Sequence, residues 1–404
     1  MKAGRTFENP YTPGAGHAPP YLAGREAEQA EFDRLLTQDT ITENMVLTGL
    51  RGVGKTVLLD RLKSRAIDAG WLWAGNDLSE SASITEENLA IRLMTDLSIA
   101  AANVPIPVAK QPPGFRSYQP DFETVLLSFD GLVDVYRQTP GLVADKVRAV
   151  LEYTWTYLEP RERNHLIFAY DEAQNLADHA EKSQFPLSLL LDVFQSIQRQ
   201  GIPFMLVLTG LPTLFPKLVE ARTYTERMFR VVTLGRLDDA ESKAAITRPI
   251  EDTSCPVNLN AQSVDLIAHE AAGYPYFIQF ICREVYDIFI LQRAAGEQAS
   301  VPFDSIQRKL DTDFFSGRWA KVTDRQRDLL WIVSQLNADD EFTIQEIVEK
   351  SKLGPCKPFS PSQTNQMLGS LGQQGLVYKN RFGKYSFAVP LLGAFIKRTY
   401  QPTL

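Results

Sequence analysis

Short apolar runs alternate with helix-like repeats through the first part of the chain. Runs of four to eight apolar residues predict buried strands at 44–48, 71–75, 165–170, 203–210 and 230–234. Apolar residues spaced three or four positions apart predict helices at 27–36, 57–67, 86–101, 122–138, 142–158 and 185–200. We expect 103–120, which holds five prolines, to be a loop. Buried strands that alternate with helices favour an α/β fold with a parallel sheet covered on both faces.

Beyond residue 238 the pattern becomes helical. Helices are predicted at 238–250, 261–272, 275–293, 302–313, 323–336, from 343, and at 361–371. Strands follow at 375–379 and 384–389, joined by a turn at 380–383. Three helices and a hairpin predict a winged helix-turn-helix at the end of the chain. We therefore expect an extended arm at 1–20, an α/β core at 21–236 with a helical insertion near 85–160, a helical lid at 237–318 and a winged helix at 319–404.

Composition narrows the class of protein. With 404 residues, 44% of them hydrophobic and 23% charged, the chain is ordinary for globular proteins and long enough for two or three domains. There is no apolar run of transmembrane length, and the N-terminus lacks the apolar core of a signal peptide. Three scattered cysteines, Cys255, Cys282 and Cys356, fit a reducing compartment. We expect a cytoplasmic protein that does not bind a membrane.

The charge is unevenly distributed. The net charge is −7, yet residues 351–404 hold seven basic residues and no acidic one, which leaves 35 basic and 49 acidic residues in 1–350. An acidic body with a basic end suggests a local anionic partner.

A phosphate loop is predicted at Gly49–Thr56, which reads G-L-R-G-V-G-K-T. The motif lies between a predicted strand and a predicted helix, which is the context that it needs. Its glycines allow backbone N–H groups to surround phosphates, and the following helix adds its positive N-terminal end. The alternative is an ordinary glycine-rich turn. The phosphate-contacting set is Gly49, Arg51, Gly52, Val53, Gly54, Lys55, Thr56 and Val57.

Within this motif, two side chains carry specific roles. Lys55 can reach the outer phosphates of a nucleotide, and the Thr56 hydroxyl can ligate Mg²⁺.

Asp171 and Glu172 end the predicted strand at 165–170. Nucleotide hydrolysis needs one carboxylate to hold Mg²⁺ and another group to orient and deprotonate water. We assign Asp171 to the metal and Glu172 to the base. A helix-capping acid with an exposed neighbour is the structural alternative.

Other polar residues are weaker candidates. Thr209 ends the next strand and could contact the γ-phosphate or cap its own turn. Three arginines, Arg222, Arg227 and Arg230, precede the last strand, and we select Arg227 as the one that stabilises phosphoryl charge, in its own chain or in a neighbouring copy. Arg283 is a further candidate for nucleotide sensing.

The predicted winged region has features of DNA-binding domains. Polar side chains at the start of its third helix could read bases: Ser362, Gln363, Thr364, Asn365 and Gln366. Lys379, Arg381 and Lys384 could reach phosphates. The alternative is a protein-contact module with a solvated basic face.

Taken in order, these motifs resemble those of AAA+ ATPases of the group that contains origin-recognition initiators and the related STAND ATPases. Leu22–Glu26, with Gly24 and Arg25, resembles the stretch near the adenine, and Gly273–Pro275 resembles a motif of the lid. The resemblance implies a P-loop NTPase fold with a parallel sheet core, an all-α lid and a C-terminal winged helix-turn-helix. It also implies that Gly24, Arg25 and Pro275 contact the nucleotide, and that the nucleotide is ATP.

Two functions remain open at this stage. The first is a Mg²⁺-dependent ATPase that associates with duplex DNA through 351–404. Such an ATPase could also assemble as a homo-oligomer. The second is a STAND-like switch for signalling or defence, whose winged helix contacts protein. A nucleotide-binding scaffold with little turnover is disfavoured by the presence of both Asp171 and Glu172.

Overall fold

The computed structural model describes residues 8–14, 16–102, 105–109, 122–160, 165–252, 257–296, 301–336, 341–380 and 383–402. The chain divides into two compact units. The sheet unit comprises Glu26–Thr48 and Leu58–Thr233, and the helical unit comprises Met1–Arg25, Gly49–Val57 and Leu234–Leu404.

In the described part of the chain, the strands form three sheets. The strands are β1 Asn44–Gly49, β2 Leu72–Ala74, β3 Pro105–Ala109, β4 Phe122–Leu126, β5 Leu166–Tyr170, β6 Phe204–Gly210, β7 Phe229–Leu234, β8 Val377–Lys379 and β9 Tyr385–Phe387. The main sheet has the order β2-β5-β6-β1-β7. Its β2/β5, β5/β6 and β6/β1 pairs are parallel, as the alternation of strands and helices predicts.

Among the described residues, eight α-helices begin before residue 230. They are α1 Glu26–Leu36, α2 Lys55–Asp68, α3 Glu86–Ala100, α4 Phe129–Gln138, α5 Val143–Leu158, α6 Pro186–Arg199, α7 Leu214–Ala221 and α8 Thr225–Met228. Buried apolar residues of the main sheet pack with helices α3 to α8 in one core. The rings of Phe168 in β5 and Phe194 in α6 pack edge to face, with their centroids 5.1 Å apart. The ring quadrupoles favour this orientation.

One segment differs from the sequence prediction. Residues 105–109, expected in a loop, and 122–126, expected in a helix, are instead the antiparallel strands β3 and β4. A strand at 122–126 suits its β-branched Thr124 and Val125, and Ser128 caps the N-terminus of α4 by accepting from the N–H of Gly131. The helix therefore begins seven residues later than we expected, at Phe129. The rest of the predicted loop lies outside the described residues.

The helical unit carries the remaining elements. They are α9 Asp239–Asp252, α10 Ala261–Ala271, α11 Pro275–Ala294, α12 Phe303–Leu310, a π-helical turn Asp311–Ser316, α13 Gly317–Trp319, α14 Asp324–Ser334, α15 Ile344–Ser351, α16 Pro361–Gln373, the β8–β9 pair and α17 Leu392–Thr399. Pro275 occupies the first turn of α11, as predicted. The predicted capping box of Thr343 and Glu346 is present at the start of α15.

The described part of the N-terminal segment is tied to this unit. Tyr11 is 2% exposed, and its hydroxyl donates to the carbonyl oxygen of Ile246. The N–H of Thr12 donates to Oε1 of Gln279 at 3.2 Å. In the part of the chain that the structure describes, no helix is both long enough and apolar enough to cross a membrane.

Candidate functional site

The phosphate loop has the backbone shape that its sequence predicts. Gly52 and Gly54 have φ values of 79° and 90°, in the left-handed region that residues with a Cβ rarely adopt. Helix α2 begins at Lys55, and its first turn holds no acidic residue. The first turn of this helix therefore contributes no competing carboxylate at its positive end, which suits an anion.

Lys55 lies against the loop that precedes it. Its Nζ donates to the carbonyl oxygens of Gly49 at 3.0 Å and Leu50 at 2.9 Å, and the residue is 9% exposed. A buried ammonium needs several acceptors. Phosphate oxygens are stronger acceptors than carbonyl groups because they are charged, so the ammonium is suited to exchange one for the other.

Two glycines of the loop allow close approach by other parts of the helical unit. A Cβ on Gly49 would lie 2.7 Å from the carbonyl oxygen of Leu234, and a Cβ on Gly52 would lie 3.1 Å from Cβ of Tyr276. The N–H of Tyr276 donates to the carbonyl oxygen of Gly52 at 3.1 Å. Pro275, the sequence candidate, thus precedes the residue that joins α11 to the loop.

Arg25 braces the loop from outside. Its Nη2 donates to the carbonyl oxygens of Val53 at 3.0 Å and Gly235 at 2.9 Å, and Arg25 is 4% exposed. Gly24 precedes it with a φ of 61°, and a Cβ there would meet the carboxylate of Glu241. The structure therefore gives the Gly24–Arg25 pair a role in holding the phosphate loop.

The remaining residues of the loop differ in exposure. Val53 is buried, Thr56 and Val57 are half-buried, and Arg51 is exposed. Arg51 makes no hydrogen bond or ion pair with any described residue. Its Nη2 lies 3.5 Å from the position that a Cβ on Gly375 would take.

In the sheet unit, Asp171 and Glu172 follow the last residue of β5. Asp171 is 4% exposed, and its Oδ1 accepts from the N–H of Glu172 at 2.8 Å. Glu172 is exposed and has a left-handed backbone with a φ of 51°. Left-handed residues other than glycine are strained and are concentrated at functional sites. The two carboxylates thus have different environments, one enclosed and one open to solvent.

Thr209 lies on the adjacent strand with an unsatisfied hydroxyl. Its Oγ1 and that of Thr48 are buried and have no hydrogen-bond partner among the described residues. Thr209 pairs with Leu47, so Thr48 and Thr209 lie on opposite faces of the sheet. A buried hydroxyl without a partner is unfavourable, and a polar ligand can supply the missing bond.

Strand register brings these strand ends to one edge. Tyr170 of β5 pairs with Leu208 of β6, and Gly210 of β6 pairs with Thr48 of β1. Because the strands are parallel, the carboxyl ends of β1, β6 and β5 lie at the same edge of the sheet. Open α/β sheets bind their ligands at this edge.

Of the three candidate arginines, two are occupied by carboxylates. Arg222 binds Asp192 through Nε and Nη2 at 2.8 and 2.7 Å. Arg230 forms an ion pair with Glu31 at 2.7 Å. Arg227, the residue that we selected, is exposed in α8, and its side chain forms no hydrogen bond or ion pair with the described residues.

The polar residues predicted to read DNA are not equivalent. Thr364 is fully buried, and its hydroxyl donates to the carbonyl oxygen of Ser360 at 2.9 Å, so it faces the interior of the α14–α16 region instead of a partner. Gln363 takes part in the capping box of α16. Four of the five candidates are exposed, namely Ser362, Gln363, Asn365 and Gln366.

Among the candidate phosphate contacts, Lys379 and Lys384 are exposed. Nζ of Lys384 lies 3.6 Å from Glu341. Arg381 lies outside the described residues. Arg283 is exposed on α11, and its carbonyl oxygen accepts from Asn9 at 3.0 Å.

The sequence did not single out two residues that the structure places beside the candidates. Tyr276 contacts the phosphate loop, as described above. Gln174 contacts Glu172, and its Oε1 accepts from the N–H of Leu211 at 3.1 Å, just beyond Thr209. Both residues lie close to a predicted motif, since Tyr276 directly follows Pro275 and Gln174 is two residues after Glu172.

Solved structures with a similar fold include two archaeal proteins. The Walker-type ATPase of Pyrococcus abyssi has a TM-score of 0.58 and 15% identity, covering 93% of this chain and 96% of its own. The ADP form of the ORC2 protein of Aeropyrum pernix has a TM-score of 0.54 and 16% identity, covering 96% of each chain. The chain has the α/β fold of a P-loop NTPase. The predicted fold class is thereby confirmed.

Comparison with family models matches only the C-terminal part of the chain. Residues 312–396 match a family described as a domain of unknown function (DUF8462). No curated protein matches the chain. The match begins within the π-helical turn and covers the helices and hairpin of the C-terminal part.

Proposed function

We propose that this protein is a Mg²⁺-dependent ATPase. The observation that carries the proposal is the phosphate loop, in which left-handed Gly52 and Gly54 lead to a helix N-terminus and to a buried Lys55 ammonium. Backbone N–H groups, the helix end and the lysine together make a site for a polyphosphate. The fold belongs to P-loop NTPases, and the preference for adenine rests on the resemblance to AAA+ ATPases.

Several side chains fit the magnesium and hydrolysis chemistry. We assign the Thr56 hydroxyl and the Asp171 carboxylate to Mg²⁺, since both are oxygen donors of the kind that this ion prefers. When bound, Mg²⁺ supplies positive charge to the phosphates. The exposed carboxylate of Glu172 can accept a proton from water, and the unsatisfied Thr209 hydroxyl can hydrogen-bond a phosphate or that water.

Arg227 supplies a positive charge that no described carboxylate neutralises. We assign it to stabilise the charge of the transferred phosphoryl group. Because its side chain is exposed, it can act on a nucleotide held by a second copy of the chain. On this assignment the active form is a homo-oligomer.

Calorimetry tests nucleotide binding. The unchanged protein should bind ATP with Mg²⁺, and K55A should bind at least tenfold more weakly because the outer phosphates lose their ammonium. K63A removes an exposed lysine farther along α2 and should bind like the unchanged protein. Equal affinity of K55A and K63A would contradict the proposal.

We further propose that the C-terminal part is a winged helix that binds duplex DNA. The support is the acid-free segment 351–404 with its exposed Lys379 and Lys384. Phosphate contacts of this kind weaken as salt rises. ATP turnover should therefore increase with duplex DNA at low salt, and the increase should fade as salt rises.

The alternative is a STAND-like switch whose winged helix contacts protein. The buried Thr364 and the Lys384–Glu341 pair favour this alternative, because both reduce the surface available to DNA. Turnover that is slow and indifferent to DNA at every salt concentration would overturn the DNA proposal and leave the switch.

A further inference from the structure

Gln174 connects two of the candidate catalytic segments within the sheet unit. It lies in the 3₁₀ turn Ala173–Asn175, directly after Glu172. Its Nε2 donates to Oε2 of Glu172. Its Oε1 accepts from the N–H of Leu211 at 3.1 Å. One amide group therefore contacts the candidate base and the residue that follows Thr209 and Gly210.

Neighbouring residues leave space for the Gln174 amide and hold its backbone. A Cβ on Gly210 would lie 2.5 Å from Oε1 of Gln174, so any larger residue at 210 would push the amide away. The carbonyl oxygen of Gln174 accepts from Nζ of Lys217 at 2.8 Å. Lys217 is half-buried, and burial lowers its pKa, so its ammonium needs this acceptor. The turn is thus braced from α7 as well as from β6.

The orientation of the Glu172 side chain is little restrained by its own segment. The residue is exposed and has a left-handed backbone, and its carboxylate has several rotatable bonds. Nothing in its own helix or strand fixes the side chain, because the position falls between β5 and the 3₁₀ turn. Among the described residues, the amide of Gln174 is the group that donates a hydrogen bond to the Glu172 side chain.

We propose that Gln174 is a positioning residue for the candidate base. It orients the carboxylate of Glu172 and ties it to the end of β6, so that a displacement of Thr209–Leu211 changes the direction of the base. This inference rests on the proposed ATPase function. Proton abstraction requires the base to lie within hydrogen-bond reach of water, so a misdirected carboxylate lowers kcat without weakening ATP binding.

The decisive variant is Q174E. It keeps the size of the side chain and the oxygen that accepts from Leu211, but it places an acceptor where Glu172 needs a donor. Q174A removes both contacts. The matched control is Q200E, which breaks an equivalent Gln-to-Glu hydrogen bond, from Gln200 to Glu152 at 2.8 Å, with the same change of charge.

Steady-state ATP hydrolysis and calorimetry give the two readouts. We expect Q174E and Q174A to lower kcat by about tenfold or more, a part of the roughly 10²- to 10⁴-fold that general base catalysis supplies. The ATP dissociation constant should stay within twofold, and Q200E should match the unchanged protein in both measurements.

The possible failures are separable. If the unchanged protein hydrolyses ATP and K55A does not, the proposed function stands. In that case Q174E with unchanged kcat would overturn the role of Gln174 alone, and so would a loss of ATP affinity equal to the loss of kcat. If the unchanged protein does not hydrolyse ATP, the proposed function and the role of Gln174 both fail.

Discussion

Tyr276 donates its backbone N–H to the carbonyl oxygen of Gly52, with an N···O distance of 3.1 Å. The bond joins the first turn of α11 to the phosphate loop inside the helical unit. The ring of Tyr276 lies 5.3 Å from that of Phe314 in the π-helical turn, and the Arg318 guanidinium lies 4.6 Å from the Phe314 ring. These contacts connect the phosphate loop to the first turn of α11 and, through Tyr276, to the π-helical turn.

The first prediction concerns this contact. G52A places a Cβ on a residue with a φ of 79°, 3.1 Å from Cβ of Tyr276. We expect ATP affinity to fall at least tenfold by calorimetry, because the loop must change shape. G201A carries a similar φ of 85° with no atom within 4 Å. Both variants should lose about 1–2 kcal/mol of unfolding free energy from the left-handed backbone.

Only G52A should lose ATP affinity. The account of the loop would be wrong if G201A weakened ATP binding as much as G52A.

The second prediction concerns the unsatisfied hydroxyls. T209V removes a buried donor that lacks a partner, so the unfolding free energy should not fall and can rise by roughly 1 kcal/mol. ATP turnover should nevertheless decrease, because the proposed contact to phosphate or water is lost. T48V removes the matching hydroxyl on the opposite face.

We expect T48V to change stability in the same direction and to leave turnover within twofold. Urea unfolding and steady-state hydrolysis measure the two effects. Unchanged turnover in T209V would remove Thr209 from the proposed mechanism.

The third prediction concerns Arg227. R227A should lower kcat at least tenfold and leave the ATP dissociation constant unchanged, because the guanidinium acts on charge that develops during transfer. R230A breaks the exposed ion pair with Glu31, which is worth at most about 1 kcal/mol, and should leave kcat unchanged. If Arg227 acts on a neighbouring copy, specific activity should increase with protein concentration. Equal kcat values in the two variants would contradict the assignment.

The fourth prediction concerns a buried carboxyl in the core of the sheet unit. Asp96 is 4% exposed, and burial raises its pKa, although Arg92 and the Tyr170 hydroxyl oppose the shift. The folded protein therefore takes up this proton at a higher pH than the unfolded chain does. Its contribution to stability is largest below the unfolded pKa and is lost as pH rises through the folded pKa.

D96N titrates in neither state. The difference in unfolding free energy between the unchanged protein and D96N should therefore grow as pH falls from 7 to about 4. Urea unfolding at several pH values measures it. A difference that is constant with pH would show that Asp96 does not contribute to the pH dependence of the unfolding free energy.

The sequence predicted what depends on local pattern. The phosphate loop, the acids after β5 and the start of α11 at Pro275 are set by residues within one strand, turn or helix, so their positions could be read directly. The β3–β4 pair was not predicted. The prolines of the first segment indicated a loop, and the apolar spacing of the second indicated a helix. The pairing depends on contacts across the segment, which periodicity does not report.

The contacts of Gln174 and Tyr276 depend on packing between elements. Gln174 reaches Leu211 across 37 positions of the chain, and Tyr276 reaches a glycine more than 200 positions earlier. No local signal marks such partners. Thr364 shows the same limit, since its polar type suggested exposure while its position on α16 turned it inward.

The most direct test of the central claim is ATP turnover by the unchanged protein and by E172Q, with ATP binding measured on both. The account predicts Mg²⁺-dependent hydrolysis by the unchanged protein. It also predicts that E172Q binds ATP with similar affinity and hydrolyses it at least a hundredfold more slowly, because the amide cannot accept a proton from water. Equal turnover of the two proteins would remove Glu172 as the base, and absence of hydrolysis by the unchanged protein would contradict the assignment as an ATPase.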